Sequence, residues 1–163
     1  MVVSVDSINM RTMTDASVVA HYARPWALSP AEQACFDRIA NEARGRPILD
    51  IGVGGGRTVE ALCQISDDYT GIDYSADMVA ACRGRFPGVR FEHADARAMD
   101  LVADGSVFLA VFSCNGIGMV SHPDRLRILR EVHRVLQPGG RRAFRLELHQ
   151  LAEVVLEPFR RTA

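Results

Sequence analysis

At 163 residues the chain has the length of one compact domain, long enough to bury roughly two thirds of the surface that its unfolded form exposes. Apolar content of 48%, charged content of 24% and a net charge of −1 suit an ordinary globular protein, and without a basic run they give no electrostatic footprint for nucleic acid. No apolar stretch reaches the roughly 18 residues of a membrane span, and the N-terminus lacks the basic and apolar regions of a signal peptide, so a cytoplasmic location without membrane attachment is expected.

Met1 to Asn9 carries no helical stripe, and a short helical pattern (Ala16, Val19, Ala20) leads into His21-Tyr22-Ala23-Arg24-Pro25-Trp26. Ser29-Pro30-Ala31-Glu32 reads as a capping box with proline at the first helical position, and the helix it opens runs to about Ala43, where Gly45 stops it. Four cysteines (Cys35, Cys63, Cys82, Cys114) include no C-x-x-C pair, so buried free thiols are expected rather than a metal site.

Pro47 to Leu62 compresses a strand, a turn and a helix into sixteen residues: Ile48-Leu49-Asp50-Ile51, four glycines in five positions, then apolar residues at helical spacing. Glycine suits such a turn because it adopts backbone angles that a Cβ forbids and lets main-chain N–H groups approach a ligand. A dinucleotide fingerprint wants Gly-x-Gly-x-x-Gly, but after Gly52 and Gly54 the third position is Arg57, which disfavours a pyrophosphate site. The register Asp50-x-Gly52-x-Gly54-x-Gly56 instead resembles the first motif of the class I S-adenosylmethionine-dependent methyltransferases. An ordinary glycine-rich turn in another α/β protein is the plain alternative.

Farther along, Asp67 to Asp73 is a short strand ending in an acid 21 residues after Gly52, the interval at which nucleotide-binding units place a carboxylate on ribose hydroxyls. Ser75 caps a helix with Met78, Val79 and Cys82 turned inward. Val89 to His93 alternates as a strand does and leads to Ala94-Asp95-Ala96. Val107 to Phe112 is a continuous apolar run, as for a parallel strand covered on both faces, and ends in Ser113-Cys114-Asn115. Ser121 caps a helix with Leu126, Leu129, Val132, His133 and Leu136 as its apolar stripe, with His133 expected packed or half-buried. The run from Arg125 to Gly140, closing in L-Q-P-G-G, resembles the helix and turn before the fifth strand of the same methyltransferases.

The resemblance covers about Ile48 to Gly140. It implies a three-layer Rossmann-like α/β sandwich with a mostly parallel sheet of order 3-2-1-4-5, and methyl transfer from S-adenosylmethionine to a small molecule. It also implies roles: Gly52, Gly54 and Gly56 around the donor's methionine end, Asp50 holding the turn or the donor's amino group, Asp73 on the ribose, and Asp95 and Ala96 on the adenine. Tyr74 and Met78 would line the adenine site, Ser113 and Asn115 would face donor and acceptor, and Tyr22, with Arg24, would belong to a segment folded over the donor. For a general base the candidates by placement are His21, His122 and His149, while Asn115 is a catalytic candidate as a residue that would orient the substrate by hydrogen bonds or stabilise its loop.

Beyond Gly140 the resemblance stops, and Phe144, Leu146 and Leu148 alternate with charge. The remaining chain suggests one helix (Leu151, Val154, Val155, Phe159) and no sixth or seventh strand. The expected organisation is therefore a single domain: a helical lid over 1–45, a donor-binding core over 46–149 and a helix over 150–163. An exposed fifth strand would invite a second copy, giving a homodimer through that strand and the terminal helix. Two other functions stay open: a non-catalytic donor-binding regulatory or partner subunit, and a nicotinamide-dependent oxidoreductase.

Overall fold

The computed structural model describes residues 12, 15–24, 26–113, 116–148 and 151–158. Two helices come first, α1 (Ala16–Tyr22) and α2 (Pro30–Ala43), and α2 opens on the expected capping box, with Ser29 Oγ accepting from the Glu32 amide and the Glu32 carboxylate from the Ser29 amide. Strand and helix then alternate through β1 (Ile48–Ile51), α3 (Val59–Ile65), β2 (Tyr69–Asp73), α4 (Ala76–Arg85), β3 (Arg90–His93) and β4 (Val107–Phe112). A 3-10 turn (Gly116–Met119), α5 (His122–Val135), β5 (Leu136–Leu148) and β6 (Leu151–Pro158) follow.

The sheet order is β3-β2-β1-β4-β5-β6, parallel across the first five strands, which is the 3-2-1-4-5 arrangement of a Rossmann-like α/β fold. Alternation along β1 sorts its side chains between two cores. Ile48 joins Phe36, Ile39, Leu62, Val79 and Cys82 beneath α2, α3 and α4, whereas Leu49 and Ile51 join Ile72, Met99, Ile128 and Val132 beneath α5. All six residues of β4 are buried, as its unbroken apolar run implied.

Two expectations need correction. The terminal segment is not a helix: Leu151–Pro158 is a sixth strand, antiparallel to β5 from Leu148↔Leu151 to Arg141↔Pro158. Glu153 and Glu157 are four apart, as on one face of a helix, but Val154-Val155-Leu156 is an apolar run with two β-branched residues that suits a strand, and a free β5 edge lay beside it. That edge is thereby filled, so the fifth strand offers no pairing surface to a second copy. On α5 the inward stripe is Asp124, Ile128, Val132 and Val135, while Leu126, Leu129 and His133 are exposed. Several apolar stripes fit this helix, and the sheet selected the one with β-branched residues.

No helix among the described residues is long and apolar enough to cross a membrane.

Candidate active site

A cavity of about 560 Å³ opens off the carboxyl ends of β1, β2, β3 and β4, the place where an open α/β sheet reverses its strand order. Of the residues expected there, Tyr22, Gly52, Gly54, Asp73, Tyr74, Met78, Asp95, Ala96, Ser113 and His21 line it. Asn115 and His149, together with Cys114 and Pro25, lie outside the described residues. His122 is exposed at the first position of α5 and is not on the cavity wall.

Asp50 and Gly56 also stand off the wall. The side chain of Asp50 shares the face of Ile48, so its carboxylate turns into the core and accepts hydrogen bonds from Thr58 Oγ1 and, at 2.9 Å, from the Tyr69 hydroxyl. Burial pushes its pKa up to about 6, against the pull of those two donors. Of its two expected roles the structure gives it the turn, through Thr58 at the start of α3. Gly56 has φ +84°, and a Cβ there would come within 2.4 Å of Phe86, so its missing side chain makes room for protein rather than ligand. Gly55 lines the cavity instead, and a Cβ on it would meet the Tyr22 carbonyl oxygen at 1.8 Å. The end of α1 thus rests directly on the glycine turn.

The N–H groups of this turn are used inside the protein. Gly52 and Val53 both donate to the Ile72 carbonyl at 2.9 and 3.0 Å, Gly56 donates to Val53 at 3.0 Å, and Gly54 donates to Asp73 Oδ2 at 2.9 Å. A pyrophosphate needs such N–H groups aimed at it. In this turn the amides of Gly52, Val53, Gly54 and Gly56 are not aimed that way. What it supplies instead is a fixed carboxylate: Asp73 Oδ2 takes Gly54, Oδ1 takes the Ser75 amide at 2.8 Å, and each oxygen keeps acceptor capacity, since a carboxylate has about four lone-pair sites. Burial raises the Asp73 pKa, with the Ser75 and Gly54 amides opposing it.

Asp95 is ion-paired. Its Oδ1 accepts from the Arg97 amide at 2.8 Å and both oxygens accept from the Arg97 guanidinium, at 2.6 to 3.0 Å, while Arg97 also reaches Asp124 Oδ2 at 3.3 Å. Burial raises the Asp95 pKa, but the Arg97 contacts outweigh it and the net shift is downward. Tyr74 is half-buried, and burial with Asp73 and Tyr22 nearby pushes its hydroxyl up to about 12.

Two charged residues that sequence reasoning gave other duties form the back of the site. Glu32, 2% exposed, binds the Arg57 guanidinium through both carboxylate oxygens, NH1 at 2.6 Å, and accepts from the Ser113 hydroxyl, which itself accepts from Arg57 NH2 at 2.9 Å. Burial works against the Glu32 charge, yet Arg57, Ser113 and Ser29 hold its pKa down to about 2. The cap of α2, the glycine turn and the end of β4 are thereby tied at one point. Nothing in the chain pattern distinguished this Glu32 from an ordinary capping residue, because its partners lie 25 and 81 positions away.

A family model described as a methyltransferase domain matches residues 48–140. The chain belongs to this methyltransferase family. It is 29% identical over 117 residues to the ubiquinone biosynthesis O-methyltransferase of Bordetella avium, covering 70% of this chain and 48% of that protein. With the demethylmenaquinone methyltransferase of Chlorobaculum parvum it shares 33% identity over 94 residues, 57% of this chain and 37% of the other. Among solved structures, an S-adenosylmethionine-dependent methyltransferase from Mesorhizobium loti superposes with a TM-score of 0.61 at 29% identity, covering 73% of this chain and 54% of that one. The chain spans about half the length, or less, of the curated relatives it matches.

The methyltransferase domain's cavity has room and chemistry for an adenosyl sulfonium. Its volume lies in the usual small-molecule range, its apolar wall includes Ile51, Ile72 and Met78, and Asp73 presents acceptors without competing donors. Trp26, Arg57, Arg97 and Phe112, none of them among the expected site residues, also line it.

Proposed function

We propose that this chain transfers a methyl group from S-adenosylmethionine to a small-molecule acceptor. The observation that carries the reading is the direction of the glycine turn: the amides of Gly52, Val53, Gly54 and Gly56 are spent on Ile72, Asp73 and Val53, and the carboxylate of Asp73 faces the cavity beside them. A vicinal diol wants that carboxylate; a pyrophosphate wants an N–H nest. The names of the relatives, a ubiquinone biosynthesis O-methyltransferase among them, support a small acceptor.

When bound, the donor supplies a methyl group already activated on a sulfonium, so the protein's task is alignment and exclusion of water. In this reading Asp73 accepts from the ribose hydroxyls, and Tyr74, Met78 and Ala96 bracket the adenine. Asp95 takes the adenine amino group as Arg97 withdraws toward Asp124. The Glu32–Arg57–Ser113 network keeps the methionine end and the end of β4 in register. Glu32, held ionised down to about pH 2, is too weak a base to take part in proton transfer. His21, the one imidazole lining the cavity among the described residues, takes the acceptor's proton where the acceptor has one to lose. The segment carrying His21, Tyr22 and Trp26 acts as a lid on the cavity, and the free thiols Cys35, Cys63 and Cys82 suit a cytoplasmic setting.

Calorimetric titration with S-adenosylhomocysteine and with NADH tests the reading. Binding of the first and not the second is expected. The reverse result, or binding of neither by folded protein, would overturn it.

A further inference from the structure

Helix α5 carries two stripes at helical spacing, and the sheet uses one of them. Asp124, Ile128, Val132 and Val135 are buried against it, and Ile128 reaches the cavity wall. On the outward side His122, Leu126, Leu129 and His133 recur at intervals of four, three and four residues, and all of them are exposed. Leu126 is 43% exposed and Leu129 38%. A lone exposed leucine needs no explanation, but two that meet one turn apart make a continuous apolar ridge. Intervals alternating between three and four are those of a seam on which a second helix packs.

Cations flank this ridge. At about 100° per residue Arg125 falls on one side of it and Arg130 on the other, and both are exposed. Among the described residues neither has a carboxylate partner; the Arg125 Nε donates to the Val120 carbonyl at 3.3 Å. The other two arginines of α5 are neutralised within the protein, Arg127 by Asp124 at 3.2 Å and Arg134 by Asp104 at 2.6 Å and Glu131 at 2.8 Å. Both acids of the helix, Asp124 and Glu131, are spent in those pairs. A chain of net charge −1 thus presents a cationic face at this one helix.

Charge decides what can cover the ridge. A second copy placed there by a two-fold axis would set arginine against arginine, which opposes pairing. A membrane-surface helix calls for a broad apolar face with aromatic residues in it, whereas this ridge is two leucines with a histidine at either end. Nucleic acid would neutralise the arginines and gain nothing from the leucines. A helix with apolar residues at the same spacing and carboxylates beside them buries the leucines and gives each guanidinium its counter-charge.

We infer that the outward face of α5 is a docking site for an acidic amphipathic helix of another protein. The donor cavity lies across the helix, on the side of Ile128, so this surface does not depend on the methyl-transfer reading.

The probe is a fluorescein-labelled synthetic peptide of about three heptads, with leucine at a and d and glutamate at e and g, whose like charges keep it from pairing with itself. Fluorescence anisotropy with full-length protein, in about 0.15 M salt, should show saturable binding, and the same peptide with lysine at e and g should not bind. Arg125→Glu combined with Arg130→Glu should weaken the glutamate peptide at least about tenfold and create binding of the lysine peptide. Leu126→Ser combined with Leu129→Ser should weaken it about tenfold with the charges unchanged. All these positions are exposed, so the urea midpoint of each variant should stay with the parent's. No saturation by the glutamate peptide up to about 100 μM, or equal binding of a peptide with serine in place of its leucines, overturns the inference. So does a parent dimer that the Leu126→Ser and Leu129→Ser pair dissociates, or binding to phosphatidylglycerol vesicles that the same pair abolishes, since either gives the ridge a different occupant.

Discussion

Replacing Glu32 by glutamine tests whether the tie between α2, the glycine turn and β4 is energetic or incidental. The substitution keeps shape and some hydrogen bonding but leaves the Arg57 guanidinium, 14% exposed, without its counter-charge. Breaking one partner of a buried pair costs about 3 to 5 kcal/mol. Lowering of the Glu32 pKa from 4.5 to about 2 gives an independent figure of about 3 kcal/mol, at 1.36 kcal/mol per unit. The sign follows from the depressed value: the ionised folded form is favoured, so the contribution is complete above about pH 4.5 and is lost as pH falls toward 2. At pH 3.5 the parent should already have lost about 1.4 kcal/mol of it, whereas Glu32→Gln has none of this slope. Urea denaturation of both proteins at pH 7 and pH 3.5 reads the difference, which should narrow by that amount. Adding Arg57→Met to Glu32→Gln should restore much of the stability, since the orphaned charge is gone. A single mutant within 1 kcal/mol of the parent at pH 7, or a gap unchanged at pH 3.5, would refute the reasoning.

Asp73→Asn should weaken S-adenosylhomocysteine binding about 30-fold or more, because a charged acceptor of two hydroxyls becomes a neutral acceptor of one; calorimetry on protein with native circular dichroism measures it, and an unchanged Kd contradicts the ribose assignment. Asp50 carries the opposite pH signature. Its folded pKa of about 6 exceeds the ordinary 3.8, so its contribution is complete below about pH 4 and falls away as pH rises through 6, by about 3 kcal/mol in all. Asp50→Asn should therefore flatten the stability profile between pH 4 and 7, as urea midpoints across that range would reveal. Gly55→Ala forces the Tyr22 carbonyl away from the turn, and chymotrypsin should then cleave after Tyr22 about fivefold faster while the core stays folded; an unchanged cleavage rate would mean that α1 is not held there.

The parts of this protein that were legible in its sequence share a property: each is decided within a few residues or by a fixed interval. The Ser29–Glu32 capping box, the buried β4 run, the glycine turn after β1 and the acid ending β2 are of this kind, and together they located the cavity. Where local pattern admitted two solutions, tertiary contact chose. Residues 151–158 combine acids at helical spacing with the β-branched pair Val154-Val155, which suits a strand, and the open hydrogen-bonding edge of β5 made them a strand. Asp50 carried a plausible donor role until strand alternation turned it beneath α3, and Gly56 until Phe86 filled its space.

The amino-acid order by itself determined the class of the fold and the side of the sheet on which a ligand sits, because periodicity, caps and turns are short-range properties of the chain. Only the folded molecule decided that Glu32, Arg57 and Ser113 form one buried charge network, that Arg97 occupies Asp95, and that Trp26 lines the cavity. The members of the Glu32, Arg57 and Ser113 network come from positions 25, 56 and 81 residues apart, and it is the stacking of helices against the sheet, not any spacing along the chain, that brings such groups within hydrogen-bonding reach.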